Sequence, residues 1–427
     1  MSDWKETTLG LIPSDWEIKT IGDIAELRQG LQISTSQRFS EYKEGRFPLL
    51  KITDLPSGNY AEYVESVPQN YIADKNDIIY TRTGQVGLVY TDKEGVVHNN
   101  CFKVITKKEF FDKYFIYYYL QSQNVKKYAL SVASGSVQAD LTHSAFKTCP
   151  IAFPTSLKEQ KNIGSLLYNL DAKIENLRRQ NETLEAIAQT LFKHWFIDFE
   201  FPNADGKPYK SSGGEMWRSE LGDIPEGWQV LTLEKICKTI YRYPQFYGME
   251  KVESGVPVIR GEHLLKTGRI SVDFSDYWFV KDEYSAKFSK TILEEFDVVL
   301  SVRGSVGNYS VVGKKHIHAQ ISPNTIRLSA NPKIIRKFLL YPCLKVNQFK
   351  QKLLSIVSSS AVPAINAFEF KTFEFAIPEM LVQDKLSDVF KDLYKKVDIN
   401  EHQLETLTKT RDALLPKLMS GQLRVKE

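Results

Sequence analysis

The sequence predicts an α+β protein in which two similar α/β domains are joined by two long antiparallel helices that form a coiled coil. Three observations support this fold class. The chain has 427 residues, which is longer than a single hydrophobic core usually grows. Its sequence pattern occurs twice, and each copy ends in a sustained heptad repeat. Hydrophobic residues make up 42% and charged residues 25% of the chain, as in ordinary globular proteins.

The internal repeat is the strongest of these signals. Four segments of the first half return in the same order in the second half: 9–18 as 221–230, 47–51 as 256–260, 77–87 as 297–307, and 146–154 as 370–378. The offset grows from 212 at Leu9 and Leu221 to 224 at Phe146 and Phe370, so the second copy carries insertions, which belong in surface loops. A repeat of this length predicts two equivalent domains with two equivalent tasks.

Each copy is predicted to begin with short strands, such as 77–81 and 297–301, and to contain one helical stretch, 113–128 or 332–354. Pro154 and Pro378 close the two domains. The predicted organisation is a first domain at 1–155, a first long helix at 156–200, a connector at 201–220, a second domain at 221–378 and a second long helix at 379–420. The aromatic run Phe192, Trp195, Phe196 and Phe199 is expected to pack against one of the domains.

The two long helices carry apolar residues in alternating steps of four and three, from Ile163 to Trp195 and from Leu386 to Leu418. Pro416 is expected to end or kink the second helix. Each seam contains one asparagine, Asn181 or Asn400. If these two face each other in an antiparallel pair, the numbers of facing residues add to 581, and the two amides satisfy one another. The main rival is a slip of one heptad, which sets Asn181 against Leu393.

Composition limits the functional class. The net charge of +4 is only mildly basic, so it neither establishes nor excludes nucleic-acid binding. No run of 18 apolar residues occurs, and a cytoplasmic protein is expected. The four cysteines are widely separated, which favours buried thiols over disulfides or a metal site.

Catalytic signatures are missing from the sequence. It contains neither the Asn/Asp-Pro-Pro-Tyr/Phe motif of adenine methyltransferases nor a phosphate-binding G-x-x-x-x-G-K-S/T loop, which the 307–315 segment approaches with one residue too many. Two histidines, His316 and His318, lie close in sequence and are expected on one face of a strand, directed toward solvent or phosphate. No Cys or carboxylate cluster completes a metal site with them.

The order of these elements resembles the specificity subunit of type I restriction–modification systems. The resemblance rests on the paired segments 12–16 and 224–228 (IP-x-x-W), 84–87 and 304–307 (G-x-x-G), 154–160 and 378–383 (Pro to Gln), and on the ending at 414–423. It covers essentially the whole chain. It implies a pseudo-twofold, non-catalytic subunit whose two target-recognition domains each read one half of an interrupted, asymmetric DNA site.

The resemblance also implies partners. The helices would set the spacer between half-sites and dock two modification subunits, which bind S-adenosylmethionine and methylate adenine. Restriction subunits would then join to form an ATP-dependent translocating nuclease. We therefore expect ATP, Mg and S-adenosylmethionine on partner subunits, and no cofactor or metal on this chain.

Donor-rich stretches are the candidate DNA contacts, because paired donors read bases and positive charge binds phosphate. In the first domain they are Arg28, Gln29, Gln37, Arg38, Lys51, Arg82, Thr83 and Gln85. In the second domain they are Arg242, Tyr243, Gln245, Arg260, His263, Arg303, Ser305, Lys314, Lys315 and His316. For each residue the alternative is an ordinary surface turn.

Other functions remain open on sequence alone. A similar specificity module could serve a fused nuclease–methyltransferase, in which case only the partner differs. A coiled-coil scaffold without DNA reading would lack salt-dependent DNA binding. A free-standing methyltransferase is disfavoured by the missing motifs.

Overall fold

The computed structural model describes residues 4–107, 109–135, 139–243, 250–265, 267–304, 306–345, 347–357, 364–365 and 367–425. The chain divides into two compact units. The first unit comprises Met1–Glu175 and Thr406–Glu427, and the second comprises Asn176–Glu405. Each unit therefore contains one copy of the repeat and part of both long helices.

The first unit is built around a four-stranded antiparallel sheet with the order Ala25–Gln29, Cys101–Thr106, Ile78–Thr81, Val89–Thr91. A second sheet has the order Tyr63–Val64, Phe47–Leu50, Gly95–Val97, Ile72–Ala73. Two further ladders pair Trp4–Thr7 with Gly10–Pro13 and Trp16–Thr20 with Pro150–Pro154. The helices are Ile21–Ile24, Lys113–Leu120, Gln123–Val132, His143–Lys147 and the first long helix, Leu157–Phe192, with 3₁₀ turns at Thr35–Gln37 and Gln69–Tyr71.

The second unit repeats this plan. Its four-stranded sheet has the order Cys237–Arg242, Thr325–Ala330, Val298–Ser301, Tyr309–Val311, and its second sheet has the order Trp278–Val280, Val256–Ile259, Gln320–Ile321. The ladders pair Met216–Ser219 with Gly222–Pro225 and Gln229–Thr232 with Glu374–Ile377. The helices are Leu233–Ile236, Asp282–Lys287, Lys337–Leu344, Asn347–Ser355, Ala367–Phe370 and the second long helix, Met380–Met419. A π-helical turn spans Lys193–Ile197, and 3₁₀ turns span Gly261–His263, Phe274–Asp276, Ser289–Thr291 and Lys314–His316.

The predicted fold class is confirmed, but two helix predictions need correction. The stretch predicted as one helix at 113–128 is two helices, because the Ser122 side chain caps a new helix by accepting from the Val125 amide at 3.4 Å. The stretch 332–354 is likewise divided into two helices, the first beginning only at Lys337. Pro416 lies inside the second long helix, which ends three residues later at Met419.

Large aromatic side chains mark the core of each unit. Trp16 is fully buried and lies edge-on to Phe115 with ring centroids 6.4 Å apart. In the second unit, Phe196 and Phe199 contact Trp228 at centroid distances of 5.5 and 5.3 Å. The aromatic run at the end of the first long helix therefore packs into the second unit, as expected.

A buried glutamine fixes the start of each long helix. The Gln160 amide donates to the carbonyls of Pro154 at 2.9 Å and Phe110 at 3.2 Å, and its oxygen accepts from the Asp112 amide at 3.0 Å. The Gln383 amide makes the same three bonds, with Pro378, Ile334 and Arg336, at 2.9, 2.8 and 2.9 Å. Both side chains are fully buried. The proline and glutamine that recur in both copies, six positions apart in the first and five in the second, thus have a structural role. We call these contacts the glutamine clamps.

Each unit pairs the long helices in antiparallel fashion. In the first unit, Arg411 donates to Asp171 at 2.7 Å, and Arg424, beyond the helix end, contacts Glu159. In the second unit, the Asn400 Nδ2 donates to the Asn181 Oδ1 at 2.8 Å. The predicted asparagine pair is confirmed, and the rival register is wrong. The two amides share one hydrogen bond and do not fully satisfy one another, because the buried Asn400 Oδ1 accepts none.

The asparagine pair predicts a specific pattern of stability. Asn181→Leu removes the 2.8 Å acceptor of the fully buried Asn400 Nδ2 and leaves it only the Gln180 Oε1 at 3.4 Å, and we expect this to lower the free energy of unfolding by about 1–3 kcal/mol. The double variant Asn181→Leu/Asn400→Leu should recover most of that loss, because two leucines can fill the seam. Urea unfolding followed by the helical circular-dichroism signal measures both, with the exposed Asn169→Leu as control. Additive losses in the double variant would contradict the pairing.

Candidate nucleic-acid interface

Both units bring the ends of three strands to one edge of the four-stranded sheet. In the first unit, strands Ala25–Gln29 and Ile78–Thr81 end where the antiparallel strand Cys101–Thr106 begins. In the second unit, Cys237–Arg242 and Val298–Ser301 end where Thr325–Ala330 begins. We call these places the first edge (residues 29–30, 82–85, 98–100 and 139–143) and the second edge (residues 242–243, 302–304, 322–324 and 364–365).

Main-chain hydrogen bonds build the two edges in the same way. At the first edge, the Arg82 amide donates to the Asn100 carbonyl at 2.8 Å, and the Leu141 amide donates to the Arg82 carbonyl at 3.0 Å. At the second edge, the Val302 amide donates to Asn324 at 2.9 Å, and the Ile365 amide donates to Val302 at 3.2 Å. Two loops are therefore held side by side at each edge, whatever side chains they carry.

Glycines permit this geometry at two kinds of position. Gly84 and Gly304 both have φ of 76°, in the left-handed region that suits glycine, so the G-x-x-G segments are tight turns at the edges. Gly30 crosses the 98–100 loop so closely that a Cβ there would lie 2.1 Å from the His98 carbonyl oxygen. A side chain at Gly30 would therefore force the two segments apart.

At the first edge, Arg82 is held by its surroundings. Its guanidinium donates to Asp140 at 2.8 Å, to the Leu141 carbonyl at 3.0 Å and to the Asn99 carbonyl at 3.3 Å. The Thr83 hydroxyl also donates to Asp140, at 2.8 Å. This placement argues against Arg82 as a base-reading residue and assigns it to holding the loop. Gln29 and Gln85 are exposed at the same edge.

At the second edge, the predicted residues Arg242 and Arg303 come together. Arg242 is half-buried, and its Nε donates to the Pro323 carbonyl at 3.0 Å. Arg303 is exposed and pairs through its backbone with Ala364. The pKa of Arg242 is lowered, first by burial and then by the positive charge of Arg303. This edge therefore concentrates positive charge, as an anion-binding surface requires.

The other first-domain candidates lie away from the edge or are engaged in ion pairs. Arg38 and Lys51 both contact Glu62, at 3.1 Å each. Arg28 contacts Glu26 at 2.7 Å. Gln37 is exposed in a 3₁₀ turn.

Three second-domain predictions are corrected by burial, since none of these side chains is available to DNA. Tyr243 is 1% exposed, and its hydroxyl donates to Tyr284. His263 is 3% exposed and stacks on Tyr277 with centroids 3.8 Å apart. His316 is 2% exposed, and its Nε2 lies 2.9 Å from the Ser271 carbonyl.

The predicted strand face shared by two histidines is also wrong. His316 ends a 3₁₀ turn, and His318 has a positive φ of 69°, so the two do not alternate along a strand. Lys315 contacts Glu405 of the second long helix, while Lys314 is exposed. The basic run therefore packs in part against the helix.

Three further candidates of the second domain are Arg260, Gln245 and Ser305. Arg260 contacts Glu262 and lies over the Trp278 ring at 4.4 Å from its centroid, which leaves its side chain 15% exposed. Gln245 and Ser305 lie outside the described residues.

Sequence reasoning missed several edge residues. Asn99, Asn100 and Asn324 lie in the turns before the strands Cys101–Thr106 and Thr325–Ala330. His143 stacks on Phe102 with centroids 4.5 Å apart, and its pKa is lowered by burial and by Arg82. The signal that could have found the asparagines was their place directly before a strand of the repeated sheet.

Metal-ligand geometry is limited to one group in the described part of the chain. Glu262, His263 and Asp276 place a ligand atom each within 4.8 Å of one another. The Arg260 guanidinium lies 3.3 Å from the His263 Nε2 and donates to the Asp276 carbonyl at 2.6 Å. A cation there would have to displace this resident positive charge.

The cysteines and helices add two findings. All four cysteine thiols are buried, and burial raises the pKa of Cys101 and Cys149 to about 12. None of the helices in the described ranges combines the length and apolar character needed to cross a membrane.

Comparison with known proteins agrees with the duplicated architecture. A family model described as the type I restriction modification DNA specificity domain matches residues 13–186 and 225–409. The type I restriction enzyme MjaIX specificity subunit of Methanocaldococcus jannaschii is 28% identical, over 100% of this chain and 98% of the relative. The HindI specificity subunit of Haemophilus influenzae is 23% identical, over 99% of this chain and 100% of that one. The crystal structure of a type I restriction-modification S subunit from M. genitalium has the same fold, with a TM-score of 0.61 and 19% identity over 94% of this chain and 96% of the other.

The buried His316 predicts a pH-dependent stability. Burial lowers its pKa to about 4, whereas an unfolded histidine titrates near about 6.5. Between these values the unfolded chain binds a proton that the folded chain does not, so stability is lost as the pH falls through this window, by up to about 1.4 kcal/mol per pH unit.

We expect the melting temperature to fall more between pH 7 and pH 5 in the wild type than in His316→Gln. The matched control is His194→Gln, which changes an exposed histidine of the same unit. Equal pH dependence of the wild type and His316→Gln would contradict this assignment.

Proposed function

The chain belongs to the type I restriction–modification DNA specificity family, and we propose that its two edges each read one half of an interrupted, asymmetric DNA site. As a specificity subunit, it supplies DNA recognition to a methyltransferase and restriction complex and has no catalytic part of its own. The family model matches two stretches of the chain, and each stretch contains one edge.

The observation that carries this proposal is the same edge built twice with different side chains. The main-chain bond from Leu141 to Arg82 at the first edge corresponds to the bond from Ile365 to Val302 at the second. The exposed side chains around the two bonds differ. Two equivalent surfaces of different chemistry are what a reader of two different half-sites needs. Base edges are recognised by side-chain donors and acceptors, and both edges offer such groups.

Contacts within each unit support the proposal that the long helices set the spacer between half-sites. In the second unit, Arg269 is 8% exposed and donates to Asp398 at 2.5 Å and to Glu401 at 3.0 Å on the second long helix. In the first unit, the Tyr118 hydroxyl and the Arg411 guanidinium both donate to Asp171, each at 2.7 Å. Each recognition domain is thereby fastened to the helices within its unit.

Two modification subunits would dock on the helices and bind S-adenosylmethionine, and restriction subunits would bind ATP and Mg. A fused nuclease–methyltransferase is the alternative partner, and it implies the same DNA role. Copurification with separate modification subunits distinguishes the two.

Exchange of the first recognition domain tests the two-reader proposal. Replacing residues 1–154 by the corresponding domain of a relative should change one half of the methylated site and leave the other half and the spacer unchanged. Sequencing of methylated adenines in the host genome measures all three at once. A change in both halves would contradict independent reading.

The absence of catalytic motifs gives a second test. We expect the purified chain to transfer no methyl groups from labelled S-adenosylmethionine to DNA, and to support transfer only when the modification subunits are added. The modification subunits alone are the matched control. Transfer by this chain by itself would overturn the non-catalytic role.

A further inference from the structure

The two edges differ most in charge. The position that carries Asp140 at the first edge carries Ala364 at the second, because Thr83 pairs with Asp140 through the backbone just as Arg303 pairs with Ala364. The sequence segments 239–249, 299–309, 320–330 and 357–367, which include the second edge, contain no aspartate or glutamate. Arg242 and Arg303 of the second edge therefore lie in segments without a carboxylate, whereas Arg82 of the first edge pairs with Asp140.

The remaining polar groups also differ. At the first edge, the Arg82 guanidinium is oriented by Asp140 and two carbonyls, and the exposed side-chain amides are those of Gln29 and Gln85. At the second edge, Arg303 and the side-chain amide of Asn324 are exposed, and Arg242 is half-buried. The pKa of Arg242 is lowered first by burial and then by the positive charge of Arg303.

These groups have different preferred bases in the major groove. A guanidinium donates two parallel hydrogen bonds to the O6 and N7 acceptors of guanine, whereas a side-chain amide pairs with the N6 donor and N7 acceptor of adenine. We propose that Arg303 reads a guanine in the half-site of the second domain. The first domain reads adenine through its side-chain amides, and both assignments rest on the proposed DNA-reading function.

The strand and the main-chain bonds that flank Arg303 suit it to this role. It follows a fully buried strand, Val298–Ser301, and its own carbonyl accepts from the Ser301 hydroxyl at 3.1 Å. Its backbone is fixed between the 322–324 turn and residue 364, because Val302 bonds to both Asn324 and Ile365. A rigid backbone with an exposed, planar donor group is the arrangement that favours base discrimination over loose phosphate contact.

The test uses the full chain in complex with its modification subunits and DNA carrying the methylation-mapped site. Each guanine of the second half-site is replaced in turn by 7-deazaguanine, which lacks the N7 acceptor. We expect the wild-type complex to lose affinity at one position, by a part of the about 5- to 150-fold that a complete bidentate contact contributes, because 7-deazaguanine keeps the O6 acceptor. Arg303→Gln should show no further loss at that position. In the first half-site, 7-deazaadenine should weaken binding, and 7-deazaguanine should not.

Three variants sharpen this test. Arg303→Lys keeps the charge but lacks the planar fork of donors, so it should weaken guanine discrimination and retain nonspecific binding. Ala364→Asp gives the second edge the carboxylate of the first and should weaken binding of the second half-site. The control Arg218→Gln removes an arginine of the Met216–Ser219 hairpin, whose side chain is 83% exposed, and should bind as the wild type does.

The outcomes separate this inference from the proposed function. If the wild-type complex prefers its bipartite site but Arg303→Gln weakens binding equally on all DNA, Arg303 contacts phosphate and the inference is wrong. A second half-site without guanine would also overturn it. If the wild-type complex shows no preference for its mapped site over scrambled DNA, the proposed function itself fails.

Discussion

The glutamine clamps are the interaction on which the geometry of each unit depends. A fully buried side-chain amide is costly unless every donor and acceptor is satisfied, and both clamps satisfy theirs with main-chain groups. Because the partners are backbone atoms, the clamp ties three segments together independently of their side chains. The segments are the last strand of the domain, the start of the long helix and the residues before the helix Lys113–Leu120 or Lys337–Leu344. Each edge is thus held at a fixed position relative to the long helix that follows its domain.

The register of the helix pair is then determined by polar contacts more than by the leucines. Leucine seams tolerate a slip of one heptad, since leucine again meets leucine. The Asn181–Asn400 bond does not tolerate it, and neither does the Arg411–Asp171 ion pair, which lies in the other unit. A slip would move Arg411 by about 10 Å along the partner helix. It would leave Asp171 with only the Tyr118 hydroxyl, and removing one partner of a half-buried ion pair is more costly than the pair is stabilising.

Sequence patterns predicted the parts of this structure that depend on local spacing. The repeat, the heptads and the asparagine pair are all visible as residue spacings, and each is present in the structure. The site residues were harder to predict, because their availability depends on partners distant in sequence. Arg82 is neutralised by Asp140, which lies 58 positions away, and His316 is buried beneath Ser271 and Tyr277, 45 and 39 positions away. No spacing in a single sequence shows such contacts. The break between the helices at Ser122, by contrast, followed an ordinary capping rule that the hydrophobic pattern concealed.

Main-chain bonds build each edge, and side chains determine what it presents. This division of roles explains how one fold can read two different half-sites. The bonds that build each edge join main-chain groups, so Arg82 and Val302 occupy equivalent places although one is charged and the other apolar. Replacing the Thr83–Asp140 pair by Arg303 and Ala364 keeps the backbone bridge and changes only the groups presented at the edge. The main-chain bonds of each edge do not use these side chains, so they can be retained when such substitutions occur. The edges can therefore diverge in charge and donor pattern while the clamps, the sheet order and the helix register stay the same.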